Sequence, residues 1–226
     1  MPCSRVPPPL LGGGNAAGRQ VTGPSEGRSS PIRLLVGLGN PDARDARTRH
    51  NAGFWFADAV ASRWGASFRS QSNFFGDVAD CQVGGQRLRL LKPMTYMNNS
   101  GRSVAALANF FKLESQEILI AHDEIDLPPG TVRLKRGGGH GGHNGLRDIL
   151  PQLGSPDFAR LRIGVGHPGN KSAVVGYVLK PATADEQRAI DDALALALDH
   201  FPEIVAGNFA AVMNALHTKS PDESNE

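Results

Sequence analysis

Short apolar runs that alternate with stretches of helical spacing constrain the fold of this chain most. The runs are bounded by Gly, Pro, Asn or Asp and are too short for helices, which indicates buried strands. The predicted strands cover residues 33–38, 74–83, 87–91, 117–121, 131–136 and 161–165. The predicted helices cover residues 54–64, 102–111, 146–153, 184–200 and 202–216. Because Gly84-Gly85 joins two strands as a hairpin, we expect an α/β fold: a single domain with a mixed twisted β-sheet flanked by helices.

The two ends of the chain differ in composition from its middle. Residues 1–31 are rich in Gly, Pro, Ser and Arg, and Glu26 is their only acid. Such a segment buries too little apolar area to offset the entropy of ordering it, so we expect a disordered N-terminal extension. The globular domain is expected over residues 32–217, followed by an acidic C-terminal tail over residues 218–226.

Cysteine content and hydropathy predict where the protein resides. Cys3 and Cys81 are the only cysteines and cannot build a disulfide framework, which favours a reduced, intracellular protein. No apolar run approaches the roughly 20 residues that a membrane span needs. We therefore expect a cytoplasmic protein with no membrane partner.

Charge is segregated along the chain. Residues 31–180 hold 19 Lys and Arg against 12 Asp and Glu, a net charge of +7, whereas residues 181–226 hold 2 against 9, a net charge of −7. A basic central region favours a polyanionic partner such as a nucleic acid, because phosphate neutralisation is the sequence-independent part of that affinity. An ordinary solvated surface is the alternative.

His50 is the leading candidate for a catalytic base, because histidine alone has an ordinary pKa near neutrality. Asn40 precedes it at the end of a predicted strand, Asp123 follows another apolar strand, and Asn98 lies in an amide-rich loop. A base, an acid to orient it and amides to hold a polar substrate together predict hydrolysis without a metal. A histidine that only caps a helix or packs in the core is the alternative.

The segment 137–145 (Gly-Gly-Gly-His-Gly-Gly-His-Asn-Gly) contains six glycines in nine residues. Glycine lowers the stability of a fold, so this loop suggests a functional reason, and we interpret it as a substrate-binding loop. Metal binding by His140 and His143 is an alternative, although neither Cys nor carboxylate stands at ligand spacing. Two further alternatives are phosphate binding by backbone amides and a flexible connection that caps the next helix.

Two other chemistries find little support in the sequence. The segment 37–41 (Gly-Leu-Gly-Asn-Pro) lacks the third glycine of a dinucleotide-binding fingerprint, and its proline would interrupt the turn. No Gly-x-Ser-x-Gly elbow between a predicted strand and a predicted helix supports a serine nucleophile. Cys81 lies in a predicted strand and is interpreted as a core residue.

Six motifs, in order along the chain, resemble bacterial-type peptidyl-tRNA hydrolase. They are the segments 36–41, 48–53, 92–101, 122–130, 137–145 and 160–169, and the resemblance spans about residues 32–217. It implies a monomeric esterase without cofactor or metal. The implied substrate is peptidyl-tRNA shed by stalled ribosomes, recognised through its tRNA acceptor stem and attached peptide.

The resemblance also assigns catalytic roles residue by residue. His50 would be the base that activates water, and Asp123 would hold its imidazole in the right tautomer and stabilise the imidazolium. Asn40 would lie beside the base and help to distinguish a blocked amino group from a free one.

Binding residues are implied in the same way. Tyr96, Asn98 and Asn144 would bind the peptide and the tRNA acceptor end. Lys135 and Arg162 would contact tRNA phosphate.

The chain departs from the family pattern at two positions. Asp45 stands where the family usually has a tyrosine, and Asp42 stands where it usually has a glycine. Asp45 is therefore only a weak substrate-binding candidate. A functional alternative also exists, because a plastid RNA-splicing factor resembles the hydrolase in fold. The enzyme is favoured by the retained set of His50, Asp123, Asn40 and Asn98.

Overall fold

The computed structural model describes Met1 and residues 30–217. Within these residues the strands are β1 (Leu34–Gly37), β2 (Arg69–Gln71), β3 (Gly76–Val83), β4 (Gln86–Pro93), β5 (Ile118–Glu124), β6 (Val132–Arg136) and β7 (Ala159–Gly164). The α-helices are α1 (Ala52–Arg63), α2 (Ser100–Phe111), α3 (Asn144–Leu153), α4 (Val174–Val178), α5 (Ala184–Asp199), α6 (Phe201–Val205) and α7 (Phe209–His217).

All seven of these strands belong to one mixed sheet, which confirms the predicted fold class. The strand order is β2-β3-β4-β1-β5-β7-β6. The central strands β4, β1, β5 and β7 are parallel, whereas β2, β3 and β6 pair antiparallel at the two sides. The hairpin around Gly84-Gly85 joins β3 to β4, as expected.

Helices cover both faces of the sheet. Strand β1 is apolar throughout because both of its faces are buried. Leu35 faces one core, and Leu34 and Val36 face the other. The first core is covered by α1 and by α5 to α7, and the second by α2 and α3. A central strand buried on both faces reads as a continuous apolar run, which is the pattern that identified it.

The structure corrects the predicted elements in three places. The predicted helix over residues 202–216 is two helices, α6 and α7, because the chain turns at Gly207 with a φ of 83°. Strand β2 and helix α4 were not predicted. Both are short, and β2 is exposed along its length, so neither carries a clear apolar period.

The predicted extension over residues 1–31 and the predicted tail over residues 218–226 lie almost wholly outside the described residues. Ser30 begins the continuous described segment, and its hydroxyl donates to Gln116 Oε1 at 3.4 Å. Among the described helices, none combines the length and the apolar character that crossing a membrane demands.

Candidate active site

The carboxyl ends of three parallel strands bring the candidate site together. Asn40 follows β1, Asn98 follows β4, and Asp123 lies near the end of β5. Strand β1 lies between β4 and β5, and the helices that follow β1 and β4 cover opposite faces of the sheet. Open α/β sheets bind ligands at such a switch point.

His50 lies against Asp123 at this edge. It occupies a short 3-10 turn (Arg49–Asn51) just before α1, and it is 8% exposed. Its Nδ1 lies 2.9 Å from Asp123 Oδ1 and 3.0 Å from Oδ2. Since a carboxylate only accepts hydrogen bonds, Nδ1 carries the hydrogen and the lone pair is on Nε2. The geometry therefore suits His50 to accept a proton through Nε2.

A second imidazole, which the sequence did not place in the site, contacts the same carboxylate. His143 Nε2 lies 3.0 Å from Asp123 Oδ1. Its Nδ1 accepts from the backbone amides of Gly145 and Leu146, at 3.1 and 3.4 Å, and so caps α3. Because Nδ1 is the acceptor, Nε2 carries the hydrogen and donates to Asp123.

The electrostatics of the pair follow from burial and mutual attraction. Burial alone lowers the pKa of His50, but the charge and hydrogen bond of Asp123 outweigh it and raise that pKa above its ordinary value of 6.5. Asp45 adds a smaller contribution in the same direction. Burial raises the pKa of Asp123, yet His50 and His143 together hold it well below its ordinary range. Asp123 is therefore a carboxylate at neutral pH.

The neighbouring His122 is buried and takes no part in this pair. Burial lowers the pKa of His122 to about 3, so its imidazole is neutral. Its Nδ1 donates to the backbone carbonyl of Asp123 at 2.8 Å. The pairing of β5 with β1 ends at Ala121, so the Asp123 carbonyl has no partner on β1. The imidazole of His122 supplies its hydrogen bond.

Asn40 is held in one orientation by its surroundings. Its backbone N–H donates to Asn51 Oδ1, and its backbone carbonyl accepts from Asn51 Nδ2, both at 3.0 Å. Its own side-chain Oδ1 accepts from the backbone amide of Met97 at 3.0 Å. The amide group of Asn40 that remains for a ligand is therefore the Nδ2 donor.

A cavity of about 860 Å³ opens beside His50. Polar groups on its wall include Asn40, Asn98 and Asn144, and the side chains of Arg147 and Lys171 reach its rim. Helix α4 supplies an apolar wall, with the cavity-lining residues Val174, Val175 and Val178 followed by Leu179. Such a cleft, apolar with a few convergent polar groups, is the usual form of a small-ligand site.

Of the predicted binding residues Tyr96 and Asp45, only Tyr96 lines the cavity. Tyr96 lines the cavity, is 57% exposed, and donates its hydroxyl to Asp42 Oδ2 at 3.3 Å. Asp42 also accepts from Arg44 at 3.1 Å. Asp45 is half-buried and does not line the cavity, so its influence on the site is through its charge.

Lys135 on β6 and Arg162 on β7 lie at one side of the sheet, and neither lines the cavity. Arg133 pairs with Arg162 and Lys135 with Arg160, so these four cations share one face. Arg162 Nε donates to Glu124 Oε2 at 2.8 Å, and Lys135 is exposed. Arg160 is buried and donates to the Gly138 and Gly139 carbonyls of the glycine-rich loop.

His50, Asp123 and His143 place their potential metal-ligand atoms within 4.8 Å of one another. A metal ligand must offer a lone pair. His143 Nδ1 already accepts two backbone amides, so its Nε2 bears the hydrogen and has no lone pair. The arrangement suits proton transfer better than ion binding.

The buried histidine–carboxylate pair at the switch point of this sheet suits general-base catalysis, which many hydrolases use. The sequence profile of the peptidyl-tRNA hydrolase family matches residues 34–224. A peptidyl-tRNA hydrolase of Halorhodospira halophila is 56% identical over 191 residues, which cover 84% of this chain and 98% of that protein. The chain is also 50% identical to the Neisseria gonorrhoeae peptidyl-tRNA hydrolase, covering 84% of this chain and 100% of the relative.

Solved structures agree with these sequence comparisons. A crystal structure of peptidyl-tRNA hydrolase from Acinetobacter baumannii superposes with a TM-score of 0.80 at 49% identity, covering 82% of this chain and 94% of the other. The chain belongs to the peptidyl-tRNA hydrolase family. This confirms the resemblance, supports hydrolysis of peptidyl-tRNA as the activity, and gives no support to the splicing alternative.

Proposed function

We propose that His50 activates the water that hydrolyses the ester between peptide and tRNA. The observation that carries this proposal is the hydrogen bond from His50 Nδ1 to the buried Asp123 carboxylate, which leaves Nε2 as the acceptor at the cavity. Nε2 takes a proton as water attacks the ester carbonyl, and Asp123 stabilises the imidazolium that forms. The tetrahedral intermediate then collapses with cleavage of the bond to the tRNA ribose oxygen, which leaves with the proton returned by the imidazolium. His143 donates to the same carboxylate and keeps it oriented.

Amide groups around the base complete the chemistry. Attack on the ester carbonyl places negative charge on its oxygen, and neutral N–H donors stabilise that charge. Asn40 Nδ2 is held beside the cavity by the contact of Oδ1 with Met97. Asn98 and Asn144 are exposed on the cavity wall, where they bind the peptide and the acceptor end. An activated aminoacyl ester needs no stronger electrophilic assistance.

The two parts of the substrate lie on different surfaces in this proposal. The peptide packs along the cleft, against the apolar wall of α4 and beside Tyr96. The tRNA phosphates lie on the basic face that carries Lys135 and Arg162. Asp45 does not line the cleft and binds no part of the substrate directly.

The wider role is inferred from the same chemistry. We propose a cytoplasmic monomer with residues 32–217 as its catalytic domain. Its substrate is the peptidyl-tRNA released from stalled ribosomes, and its product is tRNA returned to translation.

Turnover of purified peptidyl-tRNA by the wild-type chain and by His50→Ala tests the proposal. We expect the variant to lose hydrolysis by at least about a hundredfold, which is the ordinary contribution of a general base. Its circular dichroism and its Kd for tRNA should stay close to wild type, since His50 lies at the ester and not on the basic face. Undiminished turnover in His50→Ala would remove His50 from the mechanism.

A further inference from the structure

Arg49, the residue before His50, is a buried cation whose contacts reach a distant part of the chain. Its side chain is 6% exposed and shares the 3-10 turn (Arg49–Asn51) with the proposed base. A charge removed from water is costly unless it is paired and hydrogen-bonded, so its partners indicate what it holds in place.

Those partners all lie at the end of α4 and the start of α5. Arg49 Nη1 donates to the carbonyls of Tyr177, Lys180 and Pro181, at 3.4, 3.2 and 2.9 Å. Helices leave their last carbonyls without intrahelical partners, and a cation placed there satisfies them and the helix dipole. Tyr177 lies in α4, and Lys180 and Pro181 follow the helix, so Arg49 binds the carboxyl end of α4 and the segment after it.

Two further contacts complete the attachment. Arg49 Nη2 donates to Glu186 Oε2 at 2.7 Å, and that same carboxylate caps α5 by accepting from the Thr183 amide. The guanidinium also stacks over the Tyr177 ring, 4.1 Å from its centroid. Tyr177 in turn donates its hydroxyl to the Val165 carbonyl at 2.7 Å.

Backbone contacts also join the Arg49 turn to the segment after α4. The Arg49 amide donates to the Lys180 carbonyl at 3.2 Å, and Thr48 forms a β-bridge with Pro181. Side-chain and backbone hydrogen bonds therefore join the turn that carries His50 to the segment that ends α4. Helix α4 is the apolar wall of the cleft, so a substrate packed on that wall keeps its position relative to His50.

We propose that Arg49 is a positioning residue for the hydrolysis: it fixes the α4 wall to the His50 turn and so sets the distance between the bound ester and the base. A displacement of about 1 Å between reacting groups can cost about a hundredfold in rate. Arg49 itself does not line the cavity. The inference rests on the proposed role of His50.

Arg49→Lys is the sharpest test, because lysine keeps the charge but lacks the planar guanidinium that binds carbonyls through Nη1 and Glu186 through Nη2. We expect kcat on peptidyl-tRNA to fall about tenfold to a hundredfold, with KM within about twofold of wild type. Tyr177→Leu, which removes the ring under the guanidinium, should lower kcat in the same way. If both act through one attachment, the double variant loses less than the product of the single losses.

Arg63→Lys is the matched control. Arg63 Nη1 also joins two helices through an acid, Asp199 at 2.9 Å, but the pair is exposed and far from the cleft. We expect wild-type kcat in this variant. All measurements are made well below the unfolding temperature of each variant, so that a loss of kcat is not a loss of folded protein.

The outcomes separate the two proposals. Wild-type kcat in folded Arg49→Lys, or a kcat that recovers fully once the protein is folded at lower temperature, overturns the positioning role. His50→Ala decides the base independently: if it is inactive while Arg49→Lys is normal, only the role of Arg49 fails. If His50→Ala is active, the proposed mechanism fails whatever Arg49 does.

Discussion

His50 and His143 bind the same carboxylate from two directions, and their ring centroids lie 5.1 Å apart. Both nitrogens that face Asp123 carry hydrogens, so the carboxylate accepts from two donors and stays ionised. His143 is fixed from behind by the backbone amides of α3, which makes it a rigid donor rather than a mobile one. Asp123 is therefore oriented by His143 while it orients His50.

This relationship predicts the effect of removing His143. His143→Asn keeps a side-chain acceptor that can cap α3 but is too short to reach Asp123. We expect kcat to fall about tenfold, while stability to urea stays closer to wild type than in His143→Ala, which also loses about 1 kcal/mol of capping. Wild-type kcat in His143→Asn would mean that His143 serves only as a cap.

Asp123→Asn is expected to lower kcat by at least about a hundredfold and to change KM little, because the lost charge stabilises the imidazolium of the transition state. It should also change the pH profile. His50 must be neutral to act as a base, and Asp123 raises its pKa above 6.5. As the pH is lowered, wild-type activity should therefore begin to fall while the pH is still above 6.5. In Asp123→Asn the pKa of His50 falls, and the acid limb of kcat/KM moves to lower pH.

Glu124→Gln is the control for the choice of acid. The Glu124 carboxylate faces Arg162 at 2.8 Å and makes no hydrogen bond to His50 among the described residues. Its kcat and acid limb should match wild type. If Asp123→Asn raises KM and leaves kcat unchanged, Asp123 is a binding residue. If Glu124→Gln lowers kcat more than Asp123→Asn does, Glu124 and not Asp123 is the acid that acts with His50.

The parts of the fold that the sequence predicted are those set by local periodicity. Strand β1 and helix α1 have unbroken apolar patterns, and burial on the sheet follows directly from them. The split between α6 and α7 depends on one left-handed residue, Gly207, inside a pattern that stays apolar on both sides. The φ angle of one residue does not change the spacing of apolar residues on which the helix prediction depends.

The site shows the same limit. Motif resemblance identified His50 and Asp123, and the structure places them in contact. The contact of His143 with Asp123 depends on the path of the glycine-rich loop, where Gly137, Gly138, Gly141 and Gly142 all have positive φ. Residues free to adopt either sign of φ do not reveal the direction of the chain. Arg49 was missed because its partners, three backbone carbonyls, Glu186 and the Tyr177 ring, lie more than 120 residues away along the chain and form no sequence motif with it.

Metal removal gives a further prediction. Since His143 Nε2 bears a hydrogen, the cluster of His50, Asp123 and His143 lacks a third ligand, and water activation here needs no Lewis acid. A zinc-selective chelator should leave kcat unchanged when Mg²⁺ is held constant to preserve the tRNA fold. Loss of activity that added zinc restores would rule out the proposed mechanism.

The basic face of β6 and β7 gives the last prediction. Lys135→Ala and Arg162→Ala should weaken binding of full-length peptidyl-tRNA far more than binding of a short mimic that carries only the terminal nucleotide. Neither residue lines the cavity, so hydrolysis of the mimic should survive. Arg162 uses only Nε for Glu124, and its two Nη groups remain to contact phosphate. Arg69→Ala, on exposed β2 at the opposite edge of the sheet, is the matched control.

Salt dependence separates phosphate contact from a charged sheet edge that only prevents aggregation. Each phosphate contact that is lost should reduce the slope of log K against log salt by roughly 0.7 to 0.9. We therefore expect shallower slopes for Lys135→Ala and Arg162→Ala, and the wild-type slope for Arg69→Ala. A residue that binds no phosphate releases no counterions, so its removal leaves the salt slope unchanged. Wild-type slopes in both Lys135→Ala and Arg162→Ala, or equal losses of binding to tRNA and to the mimic, would therefore mean that these cations are only solvated charges at the sheet edge.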